Sequence, residues 1–315
     1  MIYTYLGPAG TFTESALLQV PGAADAERVP ASSVNSALER VRSGAADAAM
    51  VPIENSVEGG VSATLDAIAT GHSLQIVAEA LVPISFDLVV RDGIDDPSRI
   101  RTVATHGHAW AQCRGWAEEN MPQAEFMLSS STAAGAMLLL EENDVDAAIC
   151  SPLVAEQNPL TVLRRGIEDN ADAVTRFVLV RRPGSLPAAT GADKTTVVIP
   201  LPEDHPGALM GILEQFAARS VNLSRIESRP TGKGLGNYFF SVDAHGHVDE
   251  ARMADALAGL HRISPDLRFL GSYPAAGLPG EETVAVDRPS VERHNTDAAF
   301  AAAARWIEEL RARHA

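Results

Sequence analysis

The stretch Asp172-Ala173-Val174-Thr175-Arg176-Phe177-Val178-Leu179-Val180 decides how this chain folds. β-Branched and aromatic residues dominate it and Pro183-Gly184 stop it, so it reads as a buried strand. A linker rich in Pro, Ala and Gly follows, and beyond it a different kind of domain begins. A period of two puts Thr175 and Phe177 on one face of the strand and Arg176 on the other. Thr175 and Arg176 therefore address one ligand only if the strand begins irregularly.

Working back toward the N-terminus, strands and helices alternate. Ile2–Leu6 reads as a strand ended by Gly7-Pro8-Ala9-Gly10, and Thr11 with Glu14 carries a capping-box pattern into a helix over 13–20. The turn lacks the Lys of a phosphate loop, yet it can expose N–H groups to an anion. A helix over 34–43 stops at Gly44, and Asp47–Ile53 is a strand leading into Glu54-Asn55-Ser56-Val57-Glu58-Gly59-Gly60. Polar residues between a buried strand and a helix (61–70) sit where open α/β sheets place ligands, although a plain turn capped by Asn55 and Ser56 fits as well. Strands over 75–82 and 84–90 follow.

After Asp95-Asp96-Pro97 the pattern restarts, with a strand over 100–105, a turn and helix over 106–120, and a helix from Ala133 to about residue 142 capped by Ser129-Ser130-Ser131-Thr132. Asp146-Ala147-Ala148-Ile149-Cys150-Ser151-Pro152 then echoes Asp47-Ala48-Ala49-Met50-Val51-Pro52, which suggests two α/β lobes facing one another across a cleft. Strand 175–180 should return to the first lobe's sheet.

Past the linker, strand, helix, strand, strand, helix and strand succeed one another over 194–274, the ferredoxin-like βαββαβ order. His205-Pro206-Gly207-Ala208-Leu209 opens its first helix, and Pro230 stops its second strand. The tail, 275–315, carries a helix and no chemistry that can be named.

At 315 residues, with 46% apolar and 21% charged residues, the chain has the composition of a globular protein of two or three domains. A formal charge of −16 without a compensating Lys/Arg stripe argues against nucleic acid or an anionic membrane as partner. Neither Cys113 nor Cys150 has metal-ligand spacing, and His106-Gly107-His108 and His245-Gly246-His247 lack a third ligand, so no metal is expected. With no basic n-region and no apolar run of membrane length, a cytoplasmic protein is expected.

Three segments, Gly7-Pro8-x-Gly10-Thr11-Phe12, Pro52-Ile53-Glu54-Asn55-Ser56 and Thr175-Arg176-Phe177, resemble in this order the signatures of prephenate dehydratase. His205-Pro206-Gly207-Ala208-Leu209 with Glu227-Ser228-Arg229-Pro230 resembles the ACT regulatory domain that follows it in that family. The resemblance spans about residues 1–274 and is to the monofunctional form, since no chorismate mutase helix precedes residue 1. It implies a two-lobed catalytic domain over 1–183, similar to periplasmic binding proteins. Lobe one would take about 1–82 with 172–182, lobe two about 83–171, and the ACT domain 194–274. It also implies no cofactor, a role in phenylalanine synthesis, L-phenylalanine as effector, and an oligomer. The helix and strand edges that a lone ferredoxin-like domain exposes lead to the expectation of a homodimer through ACT domains within a tetramer.

The same resemblance assigns Thr175, Glu54, Asn55 and Gln112 to catalysis. Thr11, Thr13, Ser56, Gly60, Ser131, Thr132, Arg176 and Phe177 would bind substrate, and Asp204, Pro206, Gly207, Ala208, Leu209, Glu227, Ser228 and Arg229 the effector. Gly107 and His108 depart from the family's usual His-Pro-Gln, whereas Gln112 is intact. Chemically, Thr175 can donate a hydrogen bond to a departing oxygen, and Glu54 can act as an acid if its surroundings raise its pKa. Three helix N-termini rich in Gly, Ser and Thr offer N–H groups and hydroxyls for a dianion. Arogenate as substrate, and a binding module without turnover, are the alternatives.

Overall fold

The computed structural model describes residues 1–57, 59–141, 144–201, 205–232, 237–278 and 293–313. Fifteen strands and ten α-helices follow one another along these residues: β1 (Ile2–Leu6), α1 (Phe12–Leu18), β2 (Glu27–Ala31), α2 (Val34–Ser43), β3 (Ala48–Asn55), β4 (Gly59–Gly60), α3 (Ser62–Ala69), β5 (Gln75–Pro83), β6 (Asp87–Val90), β7 (Thr102–Thr105), α4 (Gly107–Gln112), α5 (Arg114–Asn120), β8 (Glu125–Leu128), α6 (Thr132–Glu141), β9 (Ala147–Cys150), α7 (Pro152–Gln157), β10 (Thr161–Arg164), β11 (Val174–Arg181), β12 (Asp193–Pro200), α8 (Ala208–Ala217), β13 (Leu223–Pro230), β14 (Tyr238–His245), α9 (Ala251–Ile263), β15 (Arg268–Pro274) and α10 (Asp297–Arg313).

They form three sheets, ordered β2-β1-β3-β11-β5 with β4 on β3, β10-β6-β9-β7-β8, and β13-β14-β12-β15. The first two are the sheets of two α/β lobes. β11 does return to the first sheet, beside β3, as its apolar run requires.

The two lobes repeat one device. In the first, β1 pairs in parallel with β2 and β3; in the second, β7 pairs in parallel with β8 and β9. Asp47, just before β3, accepts the Ile2 N–H at 2.7 Å, and Asp146, just before β9, accepts the Arg101 N–H at 2.8 Å. The Asp-Ala-Ala echo is thus a shared way of starting two parallel neighbours in register. β2 and β8 give no strand signal in the sequence. Each is a sheet edge with much of its side-chain surface in solvent, so neither needs an apolar run.

Two local expectations need correction. Thr11 does not cap α1 with its side chain; its Oγ1 donates to Leu6 O, and the buried Glu14 carboxylate instead accepts the Gly10 N–H at 2.7 Å. Helix 106–120 is two short helices broken at Cys113. Gly135 lets α6 press on β7, for a Cβ there would stand 3.0 Å from the Ala104 carbonyl oxygen.

Packing divides the chain into two compact units, residues 1–64 with 80–179 and residues 65–79 with 180–315. In the second unit α8 and α9 cover one face of the third sheet, closing a core of Val197, Ile199, Ile212, Phe216, Val242, Met253 and Leu260. The sheet order and the βαββαβ succession are the ferredoxin-like arrangement. On the sheet's other face, buried Arg225 donates to Asp243 through Nε at 2.8 Å and through Nη2 at 3.1 Å, and to Ser241 Oγ at 2.9 Å. Thr196 Oγ1 adds a bond to Asp243 at 2.7 Å. No helix among the described residues is long and apolar enough to cross a membrane.

Asp243→Ala would strand the buried Arg225 guanidinium without its principal partner. Calorimetry should show this unit losing about 3–5 kcal/mol, the cost of an uncompensated buried charge. A loss below about 1 kcal/mol would mean that water reaches the guanidinium.

Candidate active site

The ends of β1, β3 and β11 in one lobe and of β7 and β8 in the other surround a cavity of about 290 Å³. Thr11, Phe12, Thr13, Pro52, Asn55, Thr175 and Phe177 line it from the first lobe, and Phe86, His106, His108, Gln112, Ser130, Ser131 and Thr132 from the second. The carboxyl ends of parallel strands are where such sheets expose N–H groups and loops to ligands. Phe12 and Phe86 meet edge to face across the lobes, with ring centroids 5.5 Å apart.

At its floor, Asn55 Nδ2 donates to Thr175 Oγ1 at 2.9 Å. Asn55 Oδ1 accepts the Val57 N–H at 2.8 Å, which fixes the amide orientation. Thr175 Oγ1 is therefore an acceptor toward Asn55, and its own O–H hydrogen is directed elsewhere. On the reverse face of the same two strands, Arg176 Nη1 meets Glu54 Oε2 at 3.3 Å, with the Arg176 side chain almost wholly buried. The strand starts regularly, so Thr175 and Arg176 do part.

The second lobe contributes two helix starts and one helix end. His106 caps α4, its Nδ1 accepting the His108 N–H at 3.3 Å, so the neutral ring carries its proton on Nε2. The two rings stack with centroids 5.3 Å apart, and among the described residues no His, Cys, Asp and Glu group has the arrangement of a metal site. Gln112 ends α4 and is held there by its carbonyl, which accepts the Asp169 N–H at 2.7 Å. Ser131 Oγ accepts the Ala134 N–H at 2.9 Å at the start of α6. Among the described residues lining the cavity there is no Lys, Arg, Asp or Glu.

Of the residues singled out in the sequence, the fold brings Thr175, Asn55, Gln112, Thr11, Thr13, Ser131, Thr132 and Phe177 to this cavity. It does not bring Glu54 or Arg176, because strand alternation turns both to the opposite face. Ser56 is spent on β11, its Oγ accepting the Val174 N–H at 2.9 Å, and Gly60 pairs with Glu54 in the β3–β4 hairpin. Phe12, Phe86 and Ser130 are lining residues that the sequence reading missed. Their Phe and Ser identities carry no signal without the fold, although Phe12 lay inside a quoted signature.

The expected effector constellation is divided. Asp204 lies outside the described residues. Gly207 has φ +90°, so the turn before α8 needs a glycine, and Leu209 is exposed. Ser228 pairs with Phe240 on the helix-covered face, whereas Glu227 pairs with Ser241 on the other, beside Arg225 at 3.8 Å. Arg229 is engaged by Asp66.

A prephenate dehydratase family model matches residues 3–185. A prephenate dehydratase from Amycolatopsis methanolica is 45% identical over 304 residues, covering 96% of this chain and 95% of its own. A crystal structure of a prephenate dehydratase from Arthrobacter aurescens in complex with L-Phe is 64% identical, with TM-score 0.89, covering 98% of this chain and 99% of that one. A further structure, GqqA, described as a novel type of quorum quenching acylase, is 31% identical with TM-score 0.77 over 88% of this chain and 98% of its own. The chain belongs to the prephenate dehydratase family.

Cys113, next to Gln112, is fully buried; burial pushes its thiol well above the usual range, and burial pushes that of Cys150 up to about 12. A raised pKa keeps a thiol protonated and unreactive at pH 8. Titration with a disulfide reagent should find neither thiol in the folded protein and both after denaturation. Rapid reaction of Cys113 in the native state would mean that the α4–α5 break opens and lets go of Gln112.

Proposed function

We propose that this protein converts prephenate to phenylpyruvate, with loss of carbon dioxide and the ring hydroxyl. The Asn55–Thr175 hydrogen bond carries the reading. A Thr hydroxyl is too weak an acid to surrender its proton fully at neutral pH. Accepting a bond from Asn55 makes it a better donor, and the orientation leaves its hydrogen for the cavity, where a leaving oxygen gathers charge. As the ring carbon–carboxylate bond breaks, its electron pair completes the aromatic ring and the C–O bond opens. The departing hydroxide is stabilised by the Thr175 O–H and leaves as water once protonated.

The substrate's two carboxylates meet the Thr11 N–H, hydroxyls and N–H donors from Thr13, Ser131 and Thr132, and the Gln112 amide, and Phe177 and Phe86 supply apolar walls for the ring. Glu54 is not the acid in this scheme; with Arg176 it braces the strand ends from behind. Arogenate carries an ammonium in place of the keto group, and the described lining, which has no carboxylate to meet it, supports prephenate. The cytoplasm is the compartment this reading assigns.

The βαββαβ domain over 194–274 serves as an ACT domain for L-phenylalanine. In support stand its topology, the glycine-dependent turn at 205–207, and the relative whose crystal structure holds L-Phe. Ser228 and the start of α8 share a face and form the effector surface. Exposed Ile226 on the edge strand β13, with exposed Leu209 and Met210, suits pairing of two such domains, and two such dimers form the tetramer.

Fold alone does not settle function, and a family relative bears another description, so the deciding test is direct. Incubated with prephenate, the purified protein should yield phenylpyruvate, read by its absorbance in alkali; no product would remove the reading in favour of a binding module. Thr175→Val keeps the shape of the side chain and should lower kcat at least about a hundredfold. Asn55→Ala should cost about 1–3 kcal/mol in the wild type but much less in the Thr175→Val background, because Asn55 acts through that hydroxyl. Additive losses would separate the two residues.

A further inference from the structure

Residues 65–79 pack with the unit built on the third sheet, while Thr64 and Ala80 at either end pack with the unit that holds the cavity. α3 crosses this division as one helix. At its start, fully buried Thr64 donates through Oγ1 to Pro52 O at 2.5 Å, and Val61 N–H donates to Ile53 O at 2.9 Å. Pro52 lines the cavity, and Asn55 lies three residues further along β3.

Two residues beyond Thr64, Asp66 is gripped by a fork. Arg229 Nε donates to Oδ1 at 3.0 Å and Arg229 Nη2 to Oδ2 at 2.7 Å. A bidentate guanidinium–carboxylate pair fixes orientation as well as distance, which a Lys point charge does not. Further along the segment, Gly71 O accepts from Arg268 Nη1 at 3.0 Å, and Glu79 Oε1 accepts from Lys194 Nζ at 2.8 Å. The third sheet thus holds the segment from α3 into β5, and its hold nearest Thr64 along the chain is Arg229, the residue after Ser228 on edge strand β13.

We propose that Asp66, through Arg229, is a positioning residue that carries the state of the effector surface to Asn55. A ligand at Ser228 and the α8 turn shifts the end of β13. The fork hands that shift to Asp66, the rigid first turns of α3 hand it to Thr64, and Thr64 displaces Pro52 and the Asn55–Thr175 bond. The proposal rests on the effector reading above. The Asp66 side chain is 47% exposed, and a half-exposed pair adds little to stability. Its two-point geometry, joining two segments 163 residues apart, is what suits it to transmission.

Asp66→Asn tests this with two readouts on the full chain. Without effector, kcat and KM for prephenate should stay within about twofold of wild type, and L-phenylalanine measured by calorimetry should still bind within about threefold of its wild-type Kd. The concentration giving half-inhibition should rise at least about tenfold, uncoupling inhibition from binding. Asp66→Glu, which keeps a carboxylate for the fork, should recover most of the inhibition. Binding with unchanged inhibition in Asp66→Asn would overturn the relay alone, and loss of binding would overturn it by making Asp66 part of the effector site. If the wild-type protein binds no L-phenylalanine, the effector reading fails and the relay with it.

Discussion

The geometry of the cavity floor depends on one constraint, the two-residue period of neighbouring strands. β3 and β11 lie side by side in the first sheet; β3 ends in the polar pair Glu54-Asn55 and β11 begins with Thr175-Arg176 after Val174. Alternation sends Asn55 and Thr175 to the cavity and Glu54 and Arg176 to the reverse. A shift of β11 by one residue would break both pairs, placing Arg176 beside Asn55 in the cavity and the Thr175 hydroxyl beneath the sheet with Glu54. The β11 run, Phe177 to Val180, is buried on both faces, so that shift would exchange side chains fitted to the two sides of the sheet and spoil the packing on each. The apolar half of the strand thus sets where the polar half points.

An acidic protein that binds a dianion faces an electrostatic difficulty, and the described lining of the cavity meets it without cations. Neutral donors line it from both lobes, and the nearby carboxylates are engaged. Glu14 accepts the Gly10 N–H and pairs with Arg28 at 3.5 Å, and Glu54 is paired with Arg176. Preorganised neutral dipoles in a small, partly apolar space stabilise charge without having to reorganise when it appears.

Much of this was legible in the sequence, because buried strands and glycine stops are local signals. The Asp172–Val180 run, Gly44, and the βαββαβ succession are all of that kind. Edge strands β2 and β8 were not legible, since their pairing is decided by a neighbour rather than by their own pattern. In the site, motif membership gathered Glu54 with Asn55 and Arg176 with Thr175, but a motif does not state which face each residue takes. Alternation in Thr175-Arg176-Phe177 held that information, and applied to Glu54-Asn55 as well it separates the two pairs. The Asp66–Arg229 fork was beyond reach, since its partners lie 163 residues apart and neither belongs to a pattern with the other.

The discontinuous packing of residues 65–79 also bears on how the chain comes apart. The Pro/Gly-rich connection after β11 resembles a seam between two independent pieces, yet a protease cutting there would not free them. The N-terminal fragment would still own the stretch that Arg229, Arg268 and Lys194 hold. Cleaved protein should therefore migrate as one particle until denatured. A gene truncated at that seam would yield a product in which Asp66, Gly71 and Glu79 lack Arg229, Arg268 and Lys194, so any instability of it would reflect a missing clasp rather than a defective cavity.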